Sequence, residues 1–262
     1  MVSFLEAYRL TLQAIQPMDI ERVALLDAAE RIAGQDLLSP FNVPSVEVSF
    51  KDGYAVCSQD IRTANPGCPV RLRLVGSIAA GGSWQHPIQP GEAIRILSGA
   101  PLPPGADAIL AEEFTQAEPG AVIALNDAAP GRNILPRGAD VQTGQRLVQA
   151  GQRLAPTAIG LLAAAGFADV NVHRRPRVAI LATGDEVVAP GQPLEPGKLY
   201  ASNLCTLAAW CRRYGFEVTT IVAPDDASAI RLALRDCLQH SDALLTSGGA
   251  WKGERDLTAL IL

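Results

Sequence analysis

The stretch Val178-Ala-Ile-Leu-Ala-Thr-Gly-Asp-Glu-Val187 decides how this chain is read. An apolar run ends abruptly at Gly184, and two carboxylates follow where a strand opens toward solvent. The pattern then returns. Phe216–Val222 leads into Asp225-Asp226, and Asp242–Thr246 leads into Ser247-Gly248-Gly249, with Asp256 just beyond. Helical stretches separate the runs. A β-α-β-α-β order implies parallel strands whose carboxyl ends share one edge. Ligands of open α/β sheets bind in the crevice outside those ends. Glu186, the Asp225/Asp226 pair, Asp256 and one glycine-rich turn are therefore expected to converge on one site.

Beyond this block, bulk properties exclude several classes. A length of 262 residues suggests about two domains, and 48% hydrophobic residues can fill sizeable cores. No stretch approaches the roughly 20 continuous apolar residues of a membrane helix. Met1-Val-Ser-Phe-Leu-Glu-Ala-Tyr8 lacks the basic-then-apolar layout of a signal peptide. A cytoplasmic protein without a membrane partner is expected. The net charge of −5 argues against a general nucleic-acid binder. Cys57, Cys68, Cys205, Cys211 and Cys237 show no C-x-x-C spacing and read as buried or incidental thiols in a reducing compartment. His86, His173 and His240 lack metal-ligand spacing.

Three blocks precede or include the opening stretch. Ser3-Phe-Leu-Glu6 is a capping box, and Leu5, Tyr8, Leu12 and Ile15 keep one helical face until Pro17. Asp27-Ala-Ala-Glu30 is expected to open a second helix closed by Gly34. From Phe50 to Pro136, alternating runs such as Val70–Val75 and Ala121–Leu125 lie between turn residues and read as a small β domain. Pro156-Thr157 starts another helix that Gly166 ends, and the basic joint His173-Arg-Arg-Pro-Arg177 leads into the α/β block. The expectation is an α/β multidomain protein. A bipartite helical N-terminal domain (1–49 plus 137–173) would carry an inserted β domain (50–136), followed by a three-layer α/β domain with a parallel sheet (174–262).

Several segments together resemble one family. They are Phe41-Asn-Val-Pro44 through Asp52-Gly-Tyr-Ala-Val56, Arg95-Ile-Leu-Ser-Gly-Ala-Pro-Leu-Pro103 with Gly105-Ala-Asp-Ala108, and Asn133-Ile134 through Arg137-Gly-Ala-Asp140. Thr183-Gly-Asp-Glu186, Ser202-Asn203, Asp225-Asp226 and Ser247-Gly-Gly249 complete the set. The chain resembles molybdopterin molybdenumtransferases of the MoeA type and is similar to the gephyrin E domain. A lone G-D-E is shared with molybdopterin adenylyltransferases and competence-damage-type proteins. The D-G-Y-A and R-I-x-S/T-G-A-P segments are far more specific.

The resemblance implies insertion of molybdenum from molybdate into adenylylated molybdopterin, with release of AMP and dependence on Mg²⁺. It implies a homodimer whose site pairs the α/β block of one subunit with the β domain of the other, and contact with a molybdopterin adenylyltransferase. Asp52, Asp140, Glu186 and Asp256 occupy the family's catalytic acidic positions. Ser98, Gly184, Asp226, Ser247, Gly248 and Gly249 fall to substrate binding, and Glu186, Asp226 and Asp256 to the metal. Ser98 keeps a hydroxyl where relatives often have Thr. The chemistry is consistent: the substrates are anionic, and a hard cation bridging carboxylate and phosphate oxygens reconciles them with an acidic ring. Glycine backbone N–H groups near a helix start suit a phosphate.

Plainer readings stand beside these. An Asp-Gly pair such as Asp52-Gly53 builds turns, Asp140 can shape the loop after Gly138, and Asp185 reads as structural. One of Asp225 and Asp226 is placed to cap the helix that follows. Trp84 and Trp210 read as packing residues. The chain also departs from the family pattern. Trp251-Lys252 follows the Ser-Gly-Gly turn where small residues are usual, Ala259 stands where Lys is common, and Lys51 replaces the customary Met. It reaches Leu262 before the family's P-G-K-P and G-L-P-G-N-P segments. The molybdopterin-binding domain is therefore expected to be partial, the C-terminal β domain absent, and insertion weak. The alternative is a truncated or divergent non-catalytic relative that binds molybdopterin or assists cofactor assembly.

Overall fold

The computed structural model describes residues 2–248 and 261. Its helices are α1 (Phe4–Ala14), α2 (Pro156–Ala164), α3 (Ser202–Arg213) and α4 (Ala227–His240). Contacts group the chain into two units, one of residues 1–35, 150–159 and 169–262, the other of 36–149 and 160–168.

In the first unit, Arg177–Thr183 is buried from Val178 onward, as a strand covered on both faces must be. Glu217–Ala223 and Ala243–Ser247 flank it, both parallel to it. α3 and α4 are the crossovers between these strands. Val178, Ile180 and Ala182 pack against Leu204, Ala208 and Cys211 of α3. Leu181 points the other way, to Ala223 and to Ile230 and Leu234 of α4. The alternation of side chains along one strand thus sends successive residues to opposite helices. Among the described residues no helix is long and apolar enough to cross a membrane.

In the regions expected as a bipartite helical domain, 1–49 and 137–173, short strands outnumber the helices among the described residues. Helix is confined there to α1 and α2. Leu25–Ala28 makes only a 3-10 turn, and Glu30 breaks it with φ 65°. Ile20–Ala24 pairs antiparallel with Asp169–His173, Leu37–Leu38 with Arg146–Val148, and Val48–Ser49 with Ile134–Leu135. Backbone groups that find distant strand partners have no need of a local helix, and a short helix gains too little to compete. α1 does form, capped where Ser3 Oγ accepts from the Glu6 amide at 3.2 Å. It buries none of its residues.

The second unit is built on a six-stranded sheet in the order Ala108–Ala111, Gly53–Val56, Glu92–Ile96, Val70–Ile78, Ala121–Ala124, Thr115–Glu118. Its pairings are antiparallel except that of Val70–Ile78 with Glu92–Ile96. Tyr54 and Val56 face one core with Ile61, Leu72 and Val122, while Ala55 faces another with Ile94, Ile96 and Ile109. Gly53 is required by closeness: a Cβ there would lie 2.1 Å from the Leu110 carbonyl oxygen.

Candidate functional site

The register of the parallel sheet assembles the site in the first unit. Thr183 is paired with Ala223, and Ala182 with Ser247, so the three strands finish level to within a residue. Whatever follows each strand must emerge at the same edge. Gly184, Asp185 and Glu186 follow the first, Asp225 and Asp226 the second, and Gly248 the third.

Each turn has a local cause. Gly184 has φ 147°, and a Cβ on it would lie 2.7 and 2.9 Å from the Glu186 carboxylate oxygens. The bare glycine is what lets that carboxylate fold back over the strand end. Among the described residues, Glu186 has no ion pair or side-chain hydrogen bond that would commit it elsewhere. Asp185 ties two turns together, its Oδ1 accepting from the Asp225 amide at 3.0 Å. That is the structural role its position suggests. Asp226 is the N-cap of α4, with Oδ1 accepting from the Ser228 and Ala229 amides at 3.1 and 2.8 Å. Gly248, at φ 114°, packs on Thr183; a Cβ there would meet the Thr183 carbonyl oxygen at 2.5 Å. Thr183 is itself a buried polar residue. Gly249, Trp251, Lys252 and Asp256 lie outside the described residues.

The remaining candidates belong to the other unit. Asp52 sits just before the buried strand Gly53–Val56, exposed, with Oδ1 accepting from the backbone amide of Ser98 at 2.7 Å. The hydroxyl expected to matter at position 98 is not the donor; any non-proline residue would supply that amide. Asp140 is exposed and shares a turn with the Phe41–Pro44 segment: its amide donates to the Val43 carbonyl at 2.9 Å, and the Gly138 amide donates to Pro44 at 2.9 Å. Two motifs about a hundred residues apart are thus one piece of backbone. Asp107, in the Gly105–Ala108 segment, is structural, accepting from the Ser58 amide and hydroxyl at 2.6 and 2.7 Å.

The family model for the MoeA N-terminal region (domain I and II) matches residues 2–166. The chain belongs to the MoeA family. A second model, for a probable molybdopterin binding domain, matches residues 179–262. The chain is 38% identical over 232 residues to molybdopterin molybdenumtransferase 2 of Mycobacterium tuberculosis, which covers 88% of this chain and 57% of that protein. It is 35% identical over 248 residues to the molybdopterin molybdenumtransferase of Haemophilus influenzae, covering 94% of this chain and 60% of that one. Among solved structures it resembles the crystal structure of the molybdopterin biosynthesis MoeA protein from Pyrococcus horikosii, with TM-score 0.86 and 35% identity over 100% of this chain and 66% of that one. The chain thus spans less than two thirds of the length of these MoeA relatives.

Sequence reasoning missed one cation at this MoeA-type edge. Lys198 Nζ donates to the Asp185 carbonyl oxygen at 2.6 Å, within the turn that bears Glu186. Its segment, Pro190–Gly197, looks like a plain Gly/Pro linker. The short parallel pair Val187–Val188 with Leu199–Tyr200, which the sequence does not announce, folds that linker back. Among the described residues no group of three or more His, Cys, Asp or Glu side chains is placed to hold a metal. Mg²⁺, however, keeps several waters and leans on one or two carboxylates plus phosphate oxygens. Glu186 and the second carboxylate oxygen of Asp226 suit that limited role.

Proposed function

We propose that this chain takes part in inserting molybdenum from molybdate into adenylylated molybdopterin, with release of AMP. The level strand ends, which bring Gly184–Glu186, Asp225–Asp226 and Ser247–Gly248 to one edge, are the observation that carries this reading. The dipole of α4 favours anions at this edge, although its Ser228 and Ala229 amides are already capped by Asp226. Lys198 adds a cation there. Glu186, Asp226 and Asp256 would hold Mg²⁺, whose contribution is to neutralise the pyrophosphate and the leaving phosphate. Asp52 and Asp140, which lie outside the α/β block, are the acidic groups that a second subunit brings to this edge. The uncovered apolar face of α1, with Phe4 81% and Leu5 76% exposed, supports a homodimer. A cytoplasmic site of action and docking to a molybdopterin adenylyltransferase belong to the same proposal, as does the division into an inserted 50–136 domain and a partial 174–262 domain.

The test supplies the purified chain with adenylylated molybdopterin, Mg²⁺ and molybdate, and follows AMP release. Slow release that Glu186→Ala abolishes is expected. Release that ignores this substitution would overturn the site. A second reading, pterin binding without insertion, is favoured by the engagement of Asp226 as a helix cap. It predicts ligand binding with no AMP at all.

A further inference from the structure

We propose that a second site lies at the opposite, amino-terminal edge of the parallel sheet and takes a small organic phosphate. A cavity of about 650 Å³ opens there, within the range of small-ligand pockets. It lies wholly in the unit that holds the sheet. Met18, Ile32, Pro176 and Phe216 give it apolar walls.

Its charges do not balance. Arg31, Arg153 and Arg174 line the cavity and are matched by Glu21, Glu30 and Asp242. Arg175, Arg212 and Arg213 line it too, and among the described residues none of the three has an ion pair. Asp19 is a further carboxylate within Coulombic reach of Arg174. A cationic surplus in one concavity of a protein with net charge −5 calls for a counter-anion. Helix electrostatics explains only part of it. Arg212 and Arg213 sit in the last turn of α3, where cations are favoured. Arg175 comes from the linker between Asp169–His173 and Arg177–Thr183, with Nε 3.9 Å from where a Cβ on Gly215 would sit, just past the α3 C-cap; the carboxyl end of one helix, roughly half a negative charge, does not balance three guanidiniums. His173 adds a polar group whose Nδ1 donates to the Met18 carbonyl at 2.6 Å.

The guanidinium fork selects phosphate, which it binds in bidentate fashion. The apolar walls select a ligand with an organic body over a bare ion. A concavity of this volume with apolar walls suits a small molecule better than an acidic protein surface.

The experiment titrates the full chain, ¹⁵N-labelled, with ADP and separately with pyrophosphate at physiological salt. ADP is expected to shift the Gly215 amide and the Trp210 indole while Gly184 and Gly248 stay in place, and to bind about tenfold more tightly than pyrophosphate. Arg175→Gln with Arg212→Gln should weaken ADP at least about tenfold with an unchanged Tm, whereas Arg71→Gln in the other unit should change nothing. Should the double variant not fold, Arg175→Gln alone carries the decision. No shift at Gly215, shifts confined to Gly184 and Gly248, or ADP binding indifferent to the variants would each overturn the site. Equal binding of pyrophosphate would overturn the organic ligand.

Discussion

In the six-stranded sheet, the strand behind Asp52 is buried along its whole length, between neighbours on both sides and cores on both faces. In the three-stranded sheet only the central strand is so treated; Glu217–Ala223 buries Ala223 alone, and the rest of it and all of Ala243–Ser247 are exposed or half-buried. Asp52 is accordingly fixed by backbone, through the Ser98 amide and the close approach of Gly53 to Leu110. The acidic turns of the parallel sheet are instead tied to one another, through Asp185 and the cap of α4. One region holds its carboxylate on a rigid frame, and the other hangs several from a single well-buried strand.

The strongest way to break this contrast is at Ile180, fully buried in the central strand, against Leu245, 38% exposed in a flanking strand. Ile180→Ala should cost about 3–4 kcal/mol in denaturant unfolding, and Leu245→Ala under about 1 kcal/mol. Equal costs would mean that the flanking strands carry as much of the fold as the centre. Next, Gly248→Ala must fit a Cβ against Thr183 at a φ that side chains rarely adopt, with an expected loss of about 2 kcal/mol and weakened pterin binding in the same preparation.

Asp242→Asn is a smaller change with a pH signature. Its carboxylate accepts from Arg174 at 2.6 and 2.9 Å and from the Arg177 amide at 2.8 Å. These arginines hold its carboxyl far below the usual range. A depressed folded value means stability fully present above the ordinary carboxylate pKa, about 3.9, and lost as pH falls from there through the folded value. Wild type and variant should therefore differ by a constant amount near neutrality and begin to converge only below about pH 4; thermal melts from pH 7 to 2 decide this. The smallest effect is expected for Ser98→Ala, within about 0.5 kcal/mol and with Asp52 unmoved, since a backbone amide does the holding. A large loss would show that the hydroxyl matters after all.

How far the sequence revealed this molecule depended on the range of the pairing involved. The apolar run Val178–Thr183, ending in Gly184, announces a doubly covered strand, and the two helical stretches after it announce its crossovers. That information is local. Ile20–Ala24, by contrast, looks like the lead-in to a helix, because its partner Asp169–His173 lies some 150 residues on and leaves no local trace. The ion pair Arg22–Asp169, at 2.5 Å, spans a separation of 147 residues. The same limit hid the site's finer detail. Asp226 as a cap could be anticipated from its place before a helix, but the tie from Lys198 to Asp185 crosses a linker whose Gly and Pro content suggests no contact. The Ser98 amide was missed because side-chain identity says nothing about what a main-chain N–H will do.

That distant pairing also orders the chain in time. Ile20–Ala24 leaves the ribosome early, yet its hydrogen-bonding edge finds its mate only once His173 has emerged. Until then the strand Ile20–Ala24 waits single, while Gly53–Val56 and the strands that enclose it can already close upon themselves. The nascent protein should therefore pass through a stage in which the sheet around Gly53–Val56 is folded and Ile20–Ala24 is not, the stage at which chaperones would find it.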